Sequence, residues 1–313
     1  MLSRIELMAG GGILLALCLG GAAAGSDAPA ADTAASLAGP GRLGLALVAV
    51  MPLALGLFVW RRWYDLGAAP RWSPAFSPPM AAGMFLAMLL LGAGGAAIAG
   101  RLLGVGPDGR DPADLALSDH ALILLGHVVG QVIVLAVFAW CSRPTGARPG
   151  PGPGRAMLAG AGAYLLVWPM VAATAFAAGL VAQRVTGKPV DPIAHDTLQQ
   201  LAESPADGWL VLMAGIVVLA VPVLEEVMYR GILQRTLVEV ARGRWAAIFL
   251  TSAMFTLMHL GTTRGHALPA LFVLSLGFGW IYEKTGRLSA CIVMHVLFNA
   301  VNVGLAWVSM PGA

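Results

Sequence analysis

Six side chains in the last third of the chain have the chemistry of a hydrolytic site. Within VPVLEEVMYRG stand Glu225, Glu226 and Arg230; within FTLMHL stands His259; within MHVLFN stand His295 and Asn299. Two carboxylates, a guanidinium, two imidazoles and an amide can supply a base, an activated water and an oxyanion stabiliser, the requirements of peptide hydrolysis. A serine route has no GxSxG elbow and no serine–lysine pair beside the cluster. Cys18, Cys141 and Cys291 occupy no motif position, although Cys291 precedes His295 by one turn. Each of the six lies in an apolar stretch, where an isolated charge costs about 3 kcal/mol on the insertion scale. Brought together they satisfy one another, so the expectation is that they meet.

Spacing sharpens this. Glu226 and Arg230 are four apart with the acid first, the favoured order for an ion pair on one helix face. Glu225 is rotated about 100° from Glu226 and has no such partner, which makes it the freer carboxylate. His295 and Asn299 share a face at the same spacing, as do Phe255 and His259; the Phe255 ring, with no acid–base chemistry, is read as packing. Gly277 and Gly279 in SLGFGW point to close helix approach.

The elements that must position these groups are membrane helices. Only 19 basic and 16 acidic residues occur among 313, the apolar fraction is 58% and the mean hydropathy is +0.79. A soluble fold could not bury that much apolar surface, so the chain is expected to be all-α, a polytopic membrane bundle. A span needs about 20 apolar residues. Candidates are Ile5–Gly25, Leu43–Trp60, Met80–Gly100, His120–Cys141, Ala156–Ala182, Gly208–Arg230 and beyond, Trp245–Leu260, Ala267–Glu283 and Leu288–Val308, eight or nine in all. The first also has the layout of a signal peptide, with Arg4, a short apolar core and a small-residue run before Ser26. Strands of alternating polarity, as a barrel needs, are absent. Ser142–Arg155, rich in Pro and Gly, reads as the linker between an N-terminal membrane region (1–141) and a C-terminal unit (156–313) whose motif core is 208–302. In the first unit His120, His127 and Gln131 read as a polar stripe facing neighbouring helices.

Basic loops (Arg61, Arg62, Arg71; Arg143, Arg148, Arg155) alternate with acidic ones (Asp108, Asp111, Asp114, Asp119; Asp191, Asp196, Glu203, Asp207). By the positive-inside rule the N-terminus lies inside, the C-terminus outside, in what reads as a bacterial plasma membrane. No basic patch suits nucleic acid, and the separated cysteines suit neither a disulfide framework nor a cysteine zinc site. His195 and His266 fall in loops and carry no assignment.

Depth is an independent check. If the helix bearing Glu225 runs past Arg230 to a turn at Arg242–Arg244, Glu225 and His259 stand about 22–26 Å from that turn at 1.5 Å per residue. Counted from the turn at Thr285–Gly286, Asn299 and His295 lie about 20 and 14 Å deep. Convergence therefore requires the longer helix, with Pro222 as a kink inside it.

EEVMYR, FTLMH and HVLFN resemble the EExxxR, FxxxH and HxxxN signatures of the CAAX-protease and bacteriocin-processing family, the Abi or Rce1-like intramembrane proteases. The resemblance covers about Gly208–Asn302, a third of the chain, with no departure at the motif positions. It implies an endopeptidase acting on a membrane-associated protein or peptide in the bilayer, prenylated CAAX proteins in eukaryotic relatives and other peptides or immunity functions in bacterial ones. Carried over, Glu225 with His259 would activate a water, His295 and Asn299 would stabilise the oxyanion, and Glu226 and Arg230 would hold the site together. No cofactor is expected. The alternative is Zn²⁺ on Glu225, His259 and His295, three protein ligands plus water, although HExxH is missing and Asn299 is a better amide donor than zinc ligand. Two other functional classes fit less of the sequence: a non-enzymatic immunity or scaffold protein with a structural polar cluster, and a proton-coupled transporter, for which repeat symmetry and acids in the first half are lacking.

Overall fold

The structure, a computed structural model, describes residues 40–67, 69, 76–105, 109–110, 115–141, 150–190 and 193–308. The expected span at 5–25, most of the linker, and Arg71, Asp108, Asp111, Asp114, Arg143, Arg148 and Asp191 lie outside these residues. The described chain forms α1 (Pro40–Trp60), α2 (Pro78–Leu102), α3 (Leu117–Cys141), α4 (Pro153–Thr186), the short α5 (Asp196–Glu203), α7 (Arg244–Met258), α8 (Leu268–Thr285) and α9 (Leu288–Val308). Between α5 and α7 runs α6, one continuous helix from Gly208 to Val240. Only isolated bridges represent β-structure among the described residues.

Six of these helices are long and apolar enough to cross a bilayer: α2, α3, α4, α6, Gly265–Thr285 including α8, and α9. Large apolar side chains stay on their outer faces, such as Leu90 and Ile98 on α2, Val129 and Ile133 on α3, Leu165 on α4 and Leu219 on α6. That is the pattern of a bundle whose outer solvent is lipid. The protein is a multi-pass, all-α membrane protein. Helix α7 departs from its expected extent of 245–260. It stops at Met258 after 15 residues, about 22 Å, short of a 30 Å hydrocarbon core. His259 lies just past its end.

As the depth argument requires, α6 continues past Arg230 and turns where Arg242 takes a positive φ of 49°. It does so with two π-helical stretches, Ile216–Ala220 and Val227–Gln234, on either side of Val221–Glu226. Pro222 lacks an N–H for the helical ladder, and the widened turn before it absorbs the mismatch.

Two apolar cores flank the middle of α6. One joins α4, α8 and α9 through Val167, Val171, Leu274, Phe278 and Met294; the other joins α2, α3, α6 and α7 through Phe85, Met88, Phe138, Tyr229 and Phe255. Glycines let the helices close. A Cβ on Gly160 would strike the Ala290 carbonyl, and one on Gly130 the Leu91 carbonyl. At Gly277 a Cβ would come 2.8 Å from Met294 and Val167, and at Gly279 2.6 Å from Gln234. These are the close approaches expected of SLGFGW.

Candidate active site

The six motif side chains are carried by α6, the end of α7, and α9. Glu226 and Arg230 sit one turn apart on α6 with no exposed surface. Arg230 Nη1 donates to Glu226 Oε1 at 3.0 Å, and its Nη2 donates to the Ser275 hydroxyl at 2.6 Å and carbonyl at 3.1 Å on α8. The guanidinium is boxed by the rings of Tyr229, Phe255 and Phe278, 5.0–5.8 Å from its carbon. A buried charge is tolerable only with such compensation. Phe255 therefore packs, as expected, and packs against a cation.

Glu226 Oε1 also accepts from His295 Nδ1 at 2.8 Å. The imidazole is stacked on Phe278 at 4.6 Å, so a hydrogen bond and a ring face fix its plane. Its other nitrogen, Nε2, faces Glu225 Oε2 at 3.7 Å. Glu225, 22% exposed in its side chain against 0% for Glu226, is the carboxylate with room for a water or a substrate. The two neighbouring acids thus differ as their 100° rotation demands, one sealed and paired, one open.

His259 is oriented by its own motif: Nδ1 lies 2.7 Å from the Phe255 carbonyl. A carbonyl only accepts, so the proton sits on Nδ1, and the neutral ring presents Nε2 as an acceptor. Asn299 Nδ2 donates to the Val217 carbonyl at 2.9 Å. That carbonyl is orphaned by the helix itself. Val221 N–H turns to Ile216 O in π fashion, and the next donor in that register would be residue 222, a proline. The amide has two N–H groups, so one remains after Val217 is served.

Glu225, His259, His295 and Asn299 all line one cavity of about 380 Å³, whose walls are mainly apolar side chains such as Val171, Leu224, Met228, Leu271 and Phe298. Polar residues that the sequence reading kept apart from the six also line it, among them His127, Gln131 and His195. His127 and Gln131 reach it from α3, joined to each other at 3.1 Å, with Gln131 also donating to the Met88 carbonyl at 3.3 Å. Their i,i+4 spacing in an apolar helix was the available signal. His120, the third of the expected stripe, instead meets Gln200 of α5 at 3.3 Å. His195 enters from the chain before α5, with no motif to announce it.

Residues 207–301 match the family described as type II CAAX prenyl endopeptidase Rce1-like. The likeness to that family covers this unit, about a third of the chain. The matched range contains all six motif residues, Glu225, Glu226, Arg230, His259, His295 and Asn299. No curated protein and no solved structure matches the chain.

A zinc ion would need Glu225, His259 and His295 as one donor set. Among the described residues no three His, Cys, Asp or Glu side chains are grouped so that they could hold a metal ion. His295 has its Nδ1 on Glu226 and its Nε2 toward Glu225 at 3.7 Å.

Proposed function

We propose that the protein is an intramembrane endopeptidase that hydrolyses a peptide bond of a membrane-associated protein or peptide, with water activated by Glu225 and no metal. The observation that carries it is the asymmetry of the acidic pair: Glu225 open to the cavity, Glu226 sealed against Arg230 and His295.

Glu225, with His259 Nε2 as a second acceptor, takes a proton from a water held between them. The resulting hydroxide oxygen bonds to the carbonyl carbon, and the C=O π pair moves onto oxygen. The free N–H of Asn299, and His295 when it carries a proton on Nε2, stabilise that oxyanion. When the pair returns to re-form C=O, the C–N bond breaks and the leaving nitrogen takes the proton held by Glu225, giving one acid and one amine. Glu226 and Arg230 hold the His295 ring in place. The apolar walls suit apolar residues flanking the bond and keep bulk water away. By loop charge the N-terminus is inside and the C-terminus outside.

The test is cleavage by the purified full chain in detergent. Substrates are a mixed library of peptides and membrane proteins that includes a prenylated CAAX peptide, the class for which the matched family is named. Cleavage is expected to survive a chelator and to fall at least about 100-fold in Glu225→Gln, the scale of a lost general base. Loss on chelation with recovery on Zn²⁺ would move the site to a metal. Cleavage undiminished in Glu225→Gln would overturn the assignment.

A further inference from the structure

Four histidines line the cavity: His127, His195, His259 and His295. Their hydrogen-bond partners separate them. His259 and His295 each have Nδ1 on an oxygen acceptor, the Phe255 carbonyl and the Glu226 carboxylate. Neutral, both carry the proton there and turn a lone pair outward. The ring of His127 is tied to Gln131 on its own helix. His195 is wired the opposite way. It is the N-cap of α5, and its Nδ1 accepts the backbone N–H of Thr197 at 3.2 Å. A nitrogen that accepts has no proton, so the neutral ring carries its hydrogen on Nε2.

The ring is held by more than the cap. The segment around it is strapped to the chain that follows His259. Arg264 N–H donates to the Ala194 carbonyl at 2.8 Å, Asp196 N–H donates to the Thr262 carbonyl at 3.2 Å, and Asp196 pairs with Arg264 at 3.4 Å. The stretch after α7 is irregular backbone beside a membrane cavity, where unpaired groups are costly, and the strap supplies its partners. The strap also sets the His195 ring 6.4 Å from that of His259.

We propose that His195 is a further catalytic residue: from Nε2 it donates a hydrogen bond to the substrate's scissile carbonyl oxygen. The assignment rests on the endopeptidase reading above. It gives the site a donor that is present with the imidazole neutral, beside His259, whose neutral ring presents an acceptor. Burial, with the nearby His259 adding to it, pushes the His195 pKa down to about 4, which keeps the ring neutral through the ordinary working range.

Two variants separate the donor from the cap. Serine and asparagine both cap helices well. His195→Ser keeps the acceptor for Thr197 and withdraws the long-reach N–H, whereas His195→Asn keeps the acceptor and restores an amide N–H on a shorter arm. On the substrate found with wild type, kcat is expected to fall about 100-fold in His195→Ser, the loss of one oxyanion donor. KM should change little, and His195→Asn should recover part of the rate. His195→Ser at wild-type kcat, beside wild-type cleavage that Glu225→Gln abolishes, overturns this assignment and leaves the protease reading standing. No cleavage by wild type overturns both. A second measurement needs no substrate: nitrogen–proton correlation spectra of histidine-labelled protein should show His195 protonated on Nε2 and His259 on Nδ1. The Nδ1–H form at His195 overturns the proposal.

Discussion

At the scale of single residues, the site divides one helical turn into an open carboxylate and a sealed one. Glu226 accepts from both Arg230 and His295, while Glu225 has the looser 3.7 Å approach of His295 Nε2. Consequences for stability and activity therefore separate. Arg230→Met leaves Glu226 as a buried charge without its guanidinium and removes the cation from the ring of Tyr229, Phe255 and Phe278. Breaking such a pair costs about 3–5 kcal/mol. Glu225→Gln removes a partly exposed charge with no close ion pair and should leave stability within about 0.5 kcal/mol of wild type. Unfolding in detergent, followed by helical signal against denaturant, measures both. Equal destabilisation by the two changes would mean that Glu225 is structural after all.

At the scale of elements, the site depends on a defect in α6. Pro222 removes a backbone donor, the preceding turn widens, and the freed Val217 carbonyl takes Asn299 of α9 instead. The amide thus pins two helices with one of its two N–H groups. Asn299→Leu should cost about 1–3 kcal/mol, the penalty of a buried unsatisfied carbonyl, together with activity. Pro222→Ala offers an N–H to that carbonyl, so the double variant Pro222→Ala/Asn299→Leu should recover much of the stability and none of the activity. A double-mutant cycle of unfolding free energies reads the coupling; strict additivity would show that proline and amide do not share the carbonyl. Much of this element-scale picture is legible in the sequence. The ion-pair face of Glu226 and Arg230, the extended α6, the glycine contacts of α8 and the helical class all follow from spacing and apolar length. The early end of α7 does not, because FTLMHL is apolar through Leu260 and hydropathy has no sign for a helix that stops at a cavity. Nor does the bond from Asn299 to Val217, which depends on hydrogen-bond register inside a helix.

At the scale of the whole molecule, the cavity of the proposed active site is not the property of the matched unit alone. Leu89 of α2 and Leu124, His127 and Gln131 of α3 supply part of its wall, and Phe85 packs edge-on against Tyr229 at 5.6 Å. The sequence gives these helices no signature, since a wall is specified by shape and polarity at positions scattered over two spans. In the sequence the Pro/Gly run Ser142–Arg155 reads as a boundary, and contacts across it are made by packed helix faces. Covalent continuity there should thus be dispensable while both parts are present. With a protease site inserted in the 142–149 stretch, cutting the purified chain in detergent should leave the fragments co-migrating on gel filtration, with peptide cleavage near the uncut rate. The 156–313 fragment expressed alone lacks the α2–α3 wall and exposes the apolar faces of Leu224, Met228 and Tyr229, which pack in the core shared with α2 and α3. It should lose cleavage, and recover it on co-expression with 1–141. Full activity in the isolated fragment would show that the N-terminal helices only cover the site and take no part in forming it.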